Sequence, residues 1–523
     1  MSPPREVELK LEVPVHCLGR LTRSSLLKGA GIAARKPASL VSVYFDTDKL
    51  KLRHKGLSLR VRRIGRRLVQ TVKQESGAKA GPFIRNEWEH DVRARQPDLD
   101  AARHTALGPL LNKKLRRDLK PVFATRVRRK VFRIRSGDSE VELSIDKGKV
   151  QAGQKSSPLC ELELELKQGQ VADLFRLAKT LAADVPVQLA VQTKADRGYA
   201  LLSAEKPGAV KAVPVAVAPD AKVQSAFQTI AKACLHQVVA NGPLTLEGDA
   251  EGVHQMRVGL RRLRAAISLF GDMLRDPQTA ALKDEFKWLT GELAPARELD
   301  VFVKRVVKPV ADRKPNGPGV AVLSRELRQR RVRAFAQARA AVESPRFRAL
   351  VLDTAAWIET GDWTRNPDDI ACTLRERPIV AAAADQLRSR RKKIVKRGKR
   401  LETLNPRRRH KLRIHAKKLR YAAEFFVGAF PRKKSMRRQK EFVELLEKLQ
   451  DALGDLNDIA VHAELSEQVV NGDNRGGKRR GGRISKAFAA GRLSGREEAR
   501  IAPLLKEAVK ACEAFADAKP FWT

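Results

Sequence analysis

The feature that most restricts how this chain can fold is a set of segments in which charged and aliphatic residues alternate one by one. In Glu6-Val7-Glu8-Leu9-Lys10 the three charges share one side of an extended strand and the aliphatics the other. Glu161, Glu163, Glu165 and Lys167 alternate likewise with Leu162, Leu164 and Leu166, while Glu87, Glu89 and Asp91 interleave with Trp88 and Val92. Glu140, Glu142 and Asp146 share another acidic face; Arg60 and Arg62 oppose Leu59 and Val61, and Arg126 and Arg128 flank Val127. Any one such strand can turn its charges to water. Together, about eight strands near 5–13, 40–46, 56–64, 68–75, 83–92, 122–135, 139–146 and 159–167 suffice to close a barrel around one small ligand. If the charges face inward, burying them unmatched is prohibitive, so divalent cations and an anionic ligand are expected to complete the site. Clustered carboxylates favour a hard cation such as Mg²⁺ or Mn²⁺, and arginine forks and lysines suit phosphate.

The chain has 105 Lys plus Arg against 60 Asp plus Glu over 523 residues, and the resulting charge of +45 calls for a polyanionic partner or ligand. The cysteines Cys17, Cys160, Cys234, Cys372 and Cys512 show no CxxC pair or zinc-like spacing and read as reduced thiols. Without an N-terminal signal or an uninterrupted apolar run of about 18 residues, the expectation is a cytoplasmic protein with no membrane insertion.

Two textures meet at a segment of residues 204–220 carrying Pro207, Pro214 and Pro219, which reads as an extended linker. Residues 1–203 alternate in strand fashion; residues 221–523 repeat apolar positions every three or four residues, as helices do. The expected class is α+β: an N-terminal eight-stranded antiparallel barrel with flanking helices, then an all-α domain of two repeated bundles. No GxxxxGK[ST] loop is present, which argues against a P-loop nucleotidase.

The ExExK pattern Glu6 to Lys10, the segments Tyr44-Phe45-Asp46-Thr47, Gly56-Leu57-Ser58-Leu59-Arg60-Val61-Arg62 and Thr71-Val72-Lys73, and then Leu162 to Lys167 and Lys194-Ala195-Asp196-Arg197-Gly198-Tyr199 follow one another in the first half. In order and spacing this set resembles the CYTH, or triphosphate tunnel metalloenzyme, family. It implies a tunnel that binds a triphosphate with two divalent metals. Glu6, Glu8, Glu163 and Glu165, with Asp146, would be metal ligands. Lys10, Arg60, Arg62, Lys73, Arg126, Arg128 and Lys194 would hold phosphates beside Glu87 and Glu89, and the nucleophile would be a metal-activated water rather than a side chain.

In the second half, His254-Gln-Met-Arg257-Val-Gly-Leu-Arg261-Arg262-Leu263-Arg264 and His410-Lys-Leu-Arg413-Ile-His-Ala-Lys417-Lys418-Leu419-Arg420 align without gaps at an offset of 156. Leu293 to Glu298 and Leu453 to Asp458 correspond at an offset of 160. Helical spacing places His254, Arg257, Arg261 and Arg264 in one stripe and His410, Arg413, Lys417 and Arg420 in another. One such stripe is ordinarily a solvated face, but its recurrence favours an anion-binding groove. The motifs, with Lys287-Trp288 and Leu299-Asp300-Val301, resemble the CHAD domain, which implies polyphosphate binding and association with polyphosphate granules. Lys433 to Lys440 and the Gly/Arg-rich stretch 471–482 have no counterpart in that pattern; the latter reads as a disordered excursion.

The expected function is metal-dependent hydrolysis of inorganic triphosphate in the first half, with long-chain polyphosphate bound by the second. A CYTH enzyme acting on ATP or thiamine triphosphate, and a non-enzymatic polyphosphate-binding protein, remain open alternatives. Aromatics amount to 5% and scarcely interleave with the basic tracts, so nucleic acid would bind only non-specifically, through charge.

Overall fold

A computed structural model describes residues 5–28, 33–34, 37–74, 80–81, 83–204, 206–309, 320–471, 487, 490–491 and 494–523. They divide into two compact units: 1–210 with 344–361, and 211–343 with 362–523. Among the described residues, no helix is long and apolar enough to cross a membrane.

The first unit is built on an antiparallel sheet. Its strands are β1 (Arg5–Glu12), β2 (Ala33–Ala34), β3 (Ala38–Asp46), β4 (Leu57–Ile64), β5 (Arg67–Gln74), β6 (Phe83–Asp91), β7 (Lys120–Ser136), β8 (Ser139–Ala152), β9 (Lys155–Gln168) and β10 (Gln188–Leu189). These are ten described strands where about eight were expected from the alternation; the additional β2 and β10 are two-residue edges on β7 and β1. Neighbours run β1-β6-β5-β4-β3-β7-β8-β9, and β1 pairs with β6 through Arg5 to Glu8 and with β9 through Glu8 to Glu12.

The sheet's polarity is the reverse of an ordinary sandwich. Phe45, Leu57, Leu59, Val61 and Val72 form an apolar outer face, packed by Leu52, Ala102, Leu107 and Leu115 from the connecting segments. Over β1 and β9 the cover is α1 (Val171–Asp184), which buries a stripe of Leu174, Phe175, Leu177, Ala178 and Leu181. A second helix, α2 (Lys194–Leu202), begins at a capping box in which Thr193 and Asp196 satisfy each other's backbone amides. The Asp46 carboxylate at the end of β3 accepts from the amides of Thr47 (2.7 Å), Leu52 (2.9 Å) and Arg53 (3.0 Å) and from the Tyr199 hydroxyl of α2 (2.9 Å). It therefore ties two of the sequence motifs together.

The second unit is helical: α3 (Val223–Ala240), α4 (Ala250–Leu269), α5 (Pro277–Phe302), α6 (Val320–Glu343), then α8 (Ile379–Gly398), α9 (Pro406–Phe425), α10 (Lys433–Asn471) and α11 (Ile501–Ala516). Between α6 and α8 lies α7 (Pro345–Thr360), which belongs to the first unit although it falls within the expected 221–523 span. It packs on α1 and β10, and Phe347, Leu350, Val351, Leu352, Ala355, Trp357 and Ile358 are all buried. The Gly/Arg-rich stretch at 472–482 lies outside the described residues.

Gly198 on α2 faces the ring of Phe123 on β7, and a Cβ there would come within 2.1 Å of it. Gly198→Val is therefore expected to push α2 off the sheet at a cost of about 1–3 kcal/mol. A thermal melt matching the parent chain would disprove this contact.

Candidate functional site

Because successive side chains of a strand point to opposite faces, the register that sends Leu9, Leu162 and Leu164 to one side sends Glu8, Lys10, Glu163 and Glu165 to the other. The charged faces border one cavity of about 670 Å³ in the first unit. Of the residues expected there, Glu6, Glu8, Lys10, Arg60, Arg62, Lys73, Glu87, Glu89, Glu163, Glu165 and Lys194 line it. Asp146 lies beneath the wall, fully buried.

At one end three carboxylates crowd together, with oxygens of Asp146, Glu161 and Glu163 within 4.8 Å of one another. Three cations hold them. Arg129 forks onto Asp146 with both contacts at 2.7 Å and also reaches Glu163. Lys194, placed by the capping box at the first position of α2, bonds Asp146 (2.8 Å), Glu163 (2.9 Å) and Glu161. Lys10 meets Glu163, its register partner, and Glu8 at 3.1 Å. Burial opposes ionisation of Asp146, but Lys194 and Arg129 outweigh it and hold that carboxyl down at about 2. Glu163 is likewise held well below the usual carboxylate range, against its burial, by Lys10, Lys194 and Arg129.

Elsewhere Lys73 bridges Glu6 (3.0 Å) and Glu87, and Arg60 lies 3.6 Å from Glu87 and 3.7 Å from Glu89. Burial, against the pull of Lys73, pushes the Glu87 carboxyl up to about 7. Burial, with Arg60 and Arg129, brings the Arg62 guanidinium down to about 10. The cations of the cavity are thus largely engaged by its carboxylates.

The donor set fits a hard divalent cation. It is all oxygen, and Glu161 Oε2, buried beside Asp146 and Glu163, has no hydrogen-bond partner among the described residues.

Arg126 and Arg128 are a correction. Both are exposed on the far face of β7, while Thr125, Val127 and Arg129 share the near one, with Arg129 lining the cavity. The charged run Arg126-Val127-Arg128-Arg129-Lys130 offers cations in both registers, and pairing of Arg129 with Asp146 across β7 and β8 selects one. Tyr44, Arg129, Glu142 and Glu161 are additions. Tyr44 was visible only as a motif residue; it stands opposite Arg60 in the sheet, and Arg60 and Arg62 overcome its burial to lower the phenol's pKa.

In the second unit α4 and α9 lie together, each opened by a side-chain cap, Asp249 to the Gly252 amide and Asn405 to the Arg408 amide. His254, Arg257, Arg261, Arg413, Lys417 and Arg420 line a groove of about 680 Å³, joined by Arg297 and by Glu298, Asp455 and Asp458. Two expected residues are not among its lining: Arg264 is exposed beyond it, and His410 is exposed and bonded to Asn457. Arg257 lies 3.8 Å from Glu298 and Arg413 lies 4.0 Å from Asp458. Arg257 Nε and Nη1, Arg261 Nε and Arg413 Nε are buried donors, and His254 Nδ1 a buried ring nitrogen, with no hydrogen-bond partner among the described residues. Burial and neighbouring arginines bring Arg257 down to about 10, Lys417 to about 7 and His254 to about 4. Asp300 lies fully buried, bonded by Arg331 at 3.0 and 2.7 Å, which makes it a structural anchor of α5 on α6.

Comparison with known proteins follows this division. The CYTH domain family matches residues 4–199 and the CHAD domain family residues 229–467. An inorganic triphosphatase of Haemophilus influenzae is 27% identical over 201 residues, 38% of this chain and 55% of its own length. The chain thus spans about half the length of that curated relative. Among solved structures, a CHAD domain from Ricinus communis is 27% identical with a TM-score of 0.49, covering 59% of this chain and 97% of that one. A putative adenylyl cyclase from Hippeastrum, described as having a dominant triphosphatase activity, is 17% identical with a TM-score of 0.28, covering 37% and 95%. The chain belongs to the CYTH family over residues 4–199 and to the CHAD family over residues 229–467, in that order.

Proposed function

We propose that the first unit is a tunnel that hydrolyses inorganic triphosphate with Mg²⁺ or Mn²⁺, and that the second binds longer polyphosphate. The observation that carries the first reading is the matched set of carboxylates and cations around one cavity. A ring of strand pairings, in which β1 bonds β6 on one side and β9 on the other, supports the tunnel.

Glu6, Glu8, Glu163 and Glu165, with Asp146 and Glu161 behind them, would hold the metal. The bound metal would supply charge neutralisation at the triphosphate and a more acidic water. The chain's own part is positioning: Lys10, Arg60, Arg62, Lys73, Arg129 and Lys194 bind and orient phosphate oxygens, and their fixed charges stabilise negative charge developing on the leaving phosphate. Among the lining residues Tyr44 is the one aromatic, and its ring is stacked on Phe123 at 4.6 Å. A lining so poor in apolar wall favours an inorganic chain over ATP or thiamine triphosphate, which present a ring to be stacked.

Phosphate release from tripolyphosphate separates the roles. Arg129→Gln is expected to lower turnover about 100-fold or more, as is Glu6→Gln, whereas Arg126→Gln and Arg128→Gln leave it unchanged. Equal losses in Arg126→Gln and Arg129→Gln would overturn the register of β7.

The groove's buried donors, without hydrogen-bond partners among the described residues, support the polyphosphate reading. Reversing Arg257 and Arg413 together to Glu in the full chain should abolish long-chain polyphosphate binding measured by titration calorimetry. Binding retained at parental affinity would place the site elsewhere.

Lys417 adds a pH dependence. Its folded pKa of about 7 lies below the ordinary lysine value, so the ammonium is half lost near pH 7 and disappears as pH rises further. A bound phosphate chain restores the charge, so binding at pH 8 takes up protons and affinity falls from pH 6 to pH 9. Lys417→Arg should flatten that profile; an unaltered profile would exclude Lys417 as its source.

A further inference from the structure

The two halves of the helical unit can be compared position by position, because α3 and α8 start 156 residues apart, as do α4 and α9. They also meet symmetrically. The Val223 amide donates to the Arg377 carbonyl at 3.0 Å and the Ile379 amide to the Ala221 carbonyl at 2.9 Å. Arg262 bonds Glu424, and the corresponding Lys418 bonds the corresponding Ser268 at 3.1 Å.

Given that symmetry, one difference stands out. The seam between α3 and α4 is closed and its charge is matched: Cys234, Gln237, Asn241 and Gly259 are buried, Gln237 bonds Gln255 at 3.0 Å, and Arg262, which reaches the Cys234 thiol, is paired with Glu424. A Cβ on Gly259 would meet Val238 at 2.9 Å, so the helices touch closely there. In the seam between α8 and α9 the same four positions are Arg390, Lys393, Arg397 and His415. Lys393 and Arg397 are exposed, and Arg390 and His415 half-buried.

No ion pair links Arg264, Arg390, Lys393, Arg397 or Lys418 to a carboxylate among the described residues. After burial, Arg397, Lys418, Lys393 and Arg390 all act on His415 and lower its pKa; Arg390 and Arg264 do the same to Lys418. Arg390 and Lys418 both bond Ser268, in the last turn of α4, and a helix C-terminus accounts for those two cations. It does not account for Lys393, Arg397 and His415, which lie one and two turns further along α8 and on α9. Like charges gathered this way repel, and the first copy shows that the fold does not require them.

Arg264 gives the cluster a direction. It sits one turn beyond Arg261 of the groove and is close enough to Lys418 to act on it. On α9 the groove residues Arg413 and Lys417 and the seam residues His415 and Lys418 occupy opposite faces, so the cations form a second site rather than the groove's floor.

We propose that the α8–α9 seam is a second binding site for a chain of linked phosphates, reached from the groove by way of Arg264. Arg390, Lys393 and Arg397 recur about every turn of α8, roughly 5 Å apart, which suits an extended polyanion rather than a single phosphate. None of these seam positions holds a Phe, Tyr or Trp to form a base-stacking platform, so the favoured ligand is inorganic. This inference rests on the groove reading above, and its test separates the two.

In the full chain, Lys393→Gln with Arg397→Gln alters exposed residues only. Titration with long-chain polyphosphate is expected to weaken about tenfold, with a salt dependence shallower by roughly one and a half units, while a short polyphosphate that the groove alone accommodates binds as before. Unchanged long-chain affinity and slope, with binding abolished by the Arg257 and Arg413 reversals, would overturn the seam and leave the groove standing. Loss in the seam variant with no loss in the groove reversals would overturn the groove and retain the seam as an independent site. Single-stranded DNA bound as tightly as polyphosphate, and weakened equally by the seam variant, would make the seam a nucleic-acid site and overturn the proposal.

Discussion

Everything in the first unit depends on matching charge inside a sheet whose apolar face is turned outward. Lys10, Arg129 and Lys194 meet Asp146, Glu161 and Glu163 where water has little access, and an unmatched charge there would be intolerable. The match is made across strands and one helix start, so the register of β7 on β8, of β1 on β9, and the cap of α2 are set by the same ion pairs. The same groups are a liability without a ligand to justify them, since well-packed apolar residues would stabilise such an interior at least as well. Their retention in the fold is the physical argument for a charged occupant.

The helical unit solves the opposite problem. There the cations are only partly matched by carboxylates, and individual donors on Arg257, Arg261 and Arg413 are left buried without hydrogen-bond partners among the described residues. Burial, with the neighbouring Arg413 and Arg261, already draws Lys417 down to about 7. One unit matches its cations with its own carboxylates, and the other has fewer carboxylates than its groove cations would need.

Much of this was legible in the sequence, because side-chain period in strands and helices is strict. Alternation located Glu6, Glu8, Lys10, Glu163 and Glu165 on one face, and the His-led repeat placed Arg257 with Arg413. Legibility failed where two periods were both satisfied: Arg126, Arg128 and Arg129 differ by register alone, and register is decided by Asp146 on another strand. Helical spacing likewise put Arg264 in the stripe of Arg261 but could not say that the groove ends between them. The seam of α8 and α9 was hidden because the repeat was read for likeness, whereas its information lies in the positions where the copies differ.

The placement of α7 bears on the order in which the molecule is made. Every described strand of the first unit has been synthesised by Leu189, yet the helix that packs on α1 and β10 ends only at Thr360. Domains commonly fold in sequence as they emerge from the ribosome, at about 5–20 residues per second. Here the sheet must wait, with the α7-facing side of α1 uncovered, while the first half of the helical unit is translated. The N-terminal unit is therefore the first to begin folding without being able to finish first.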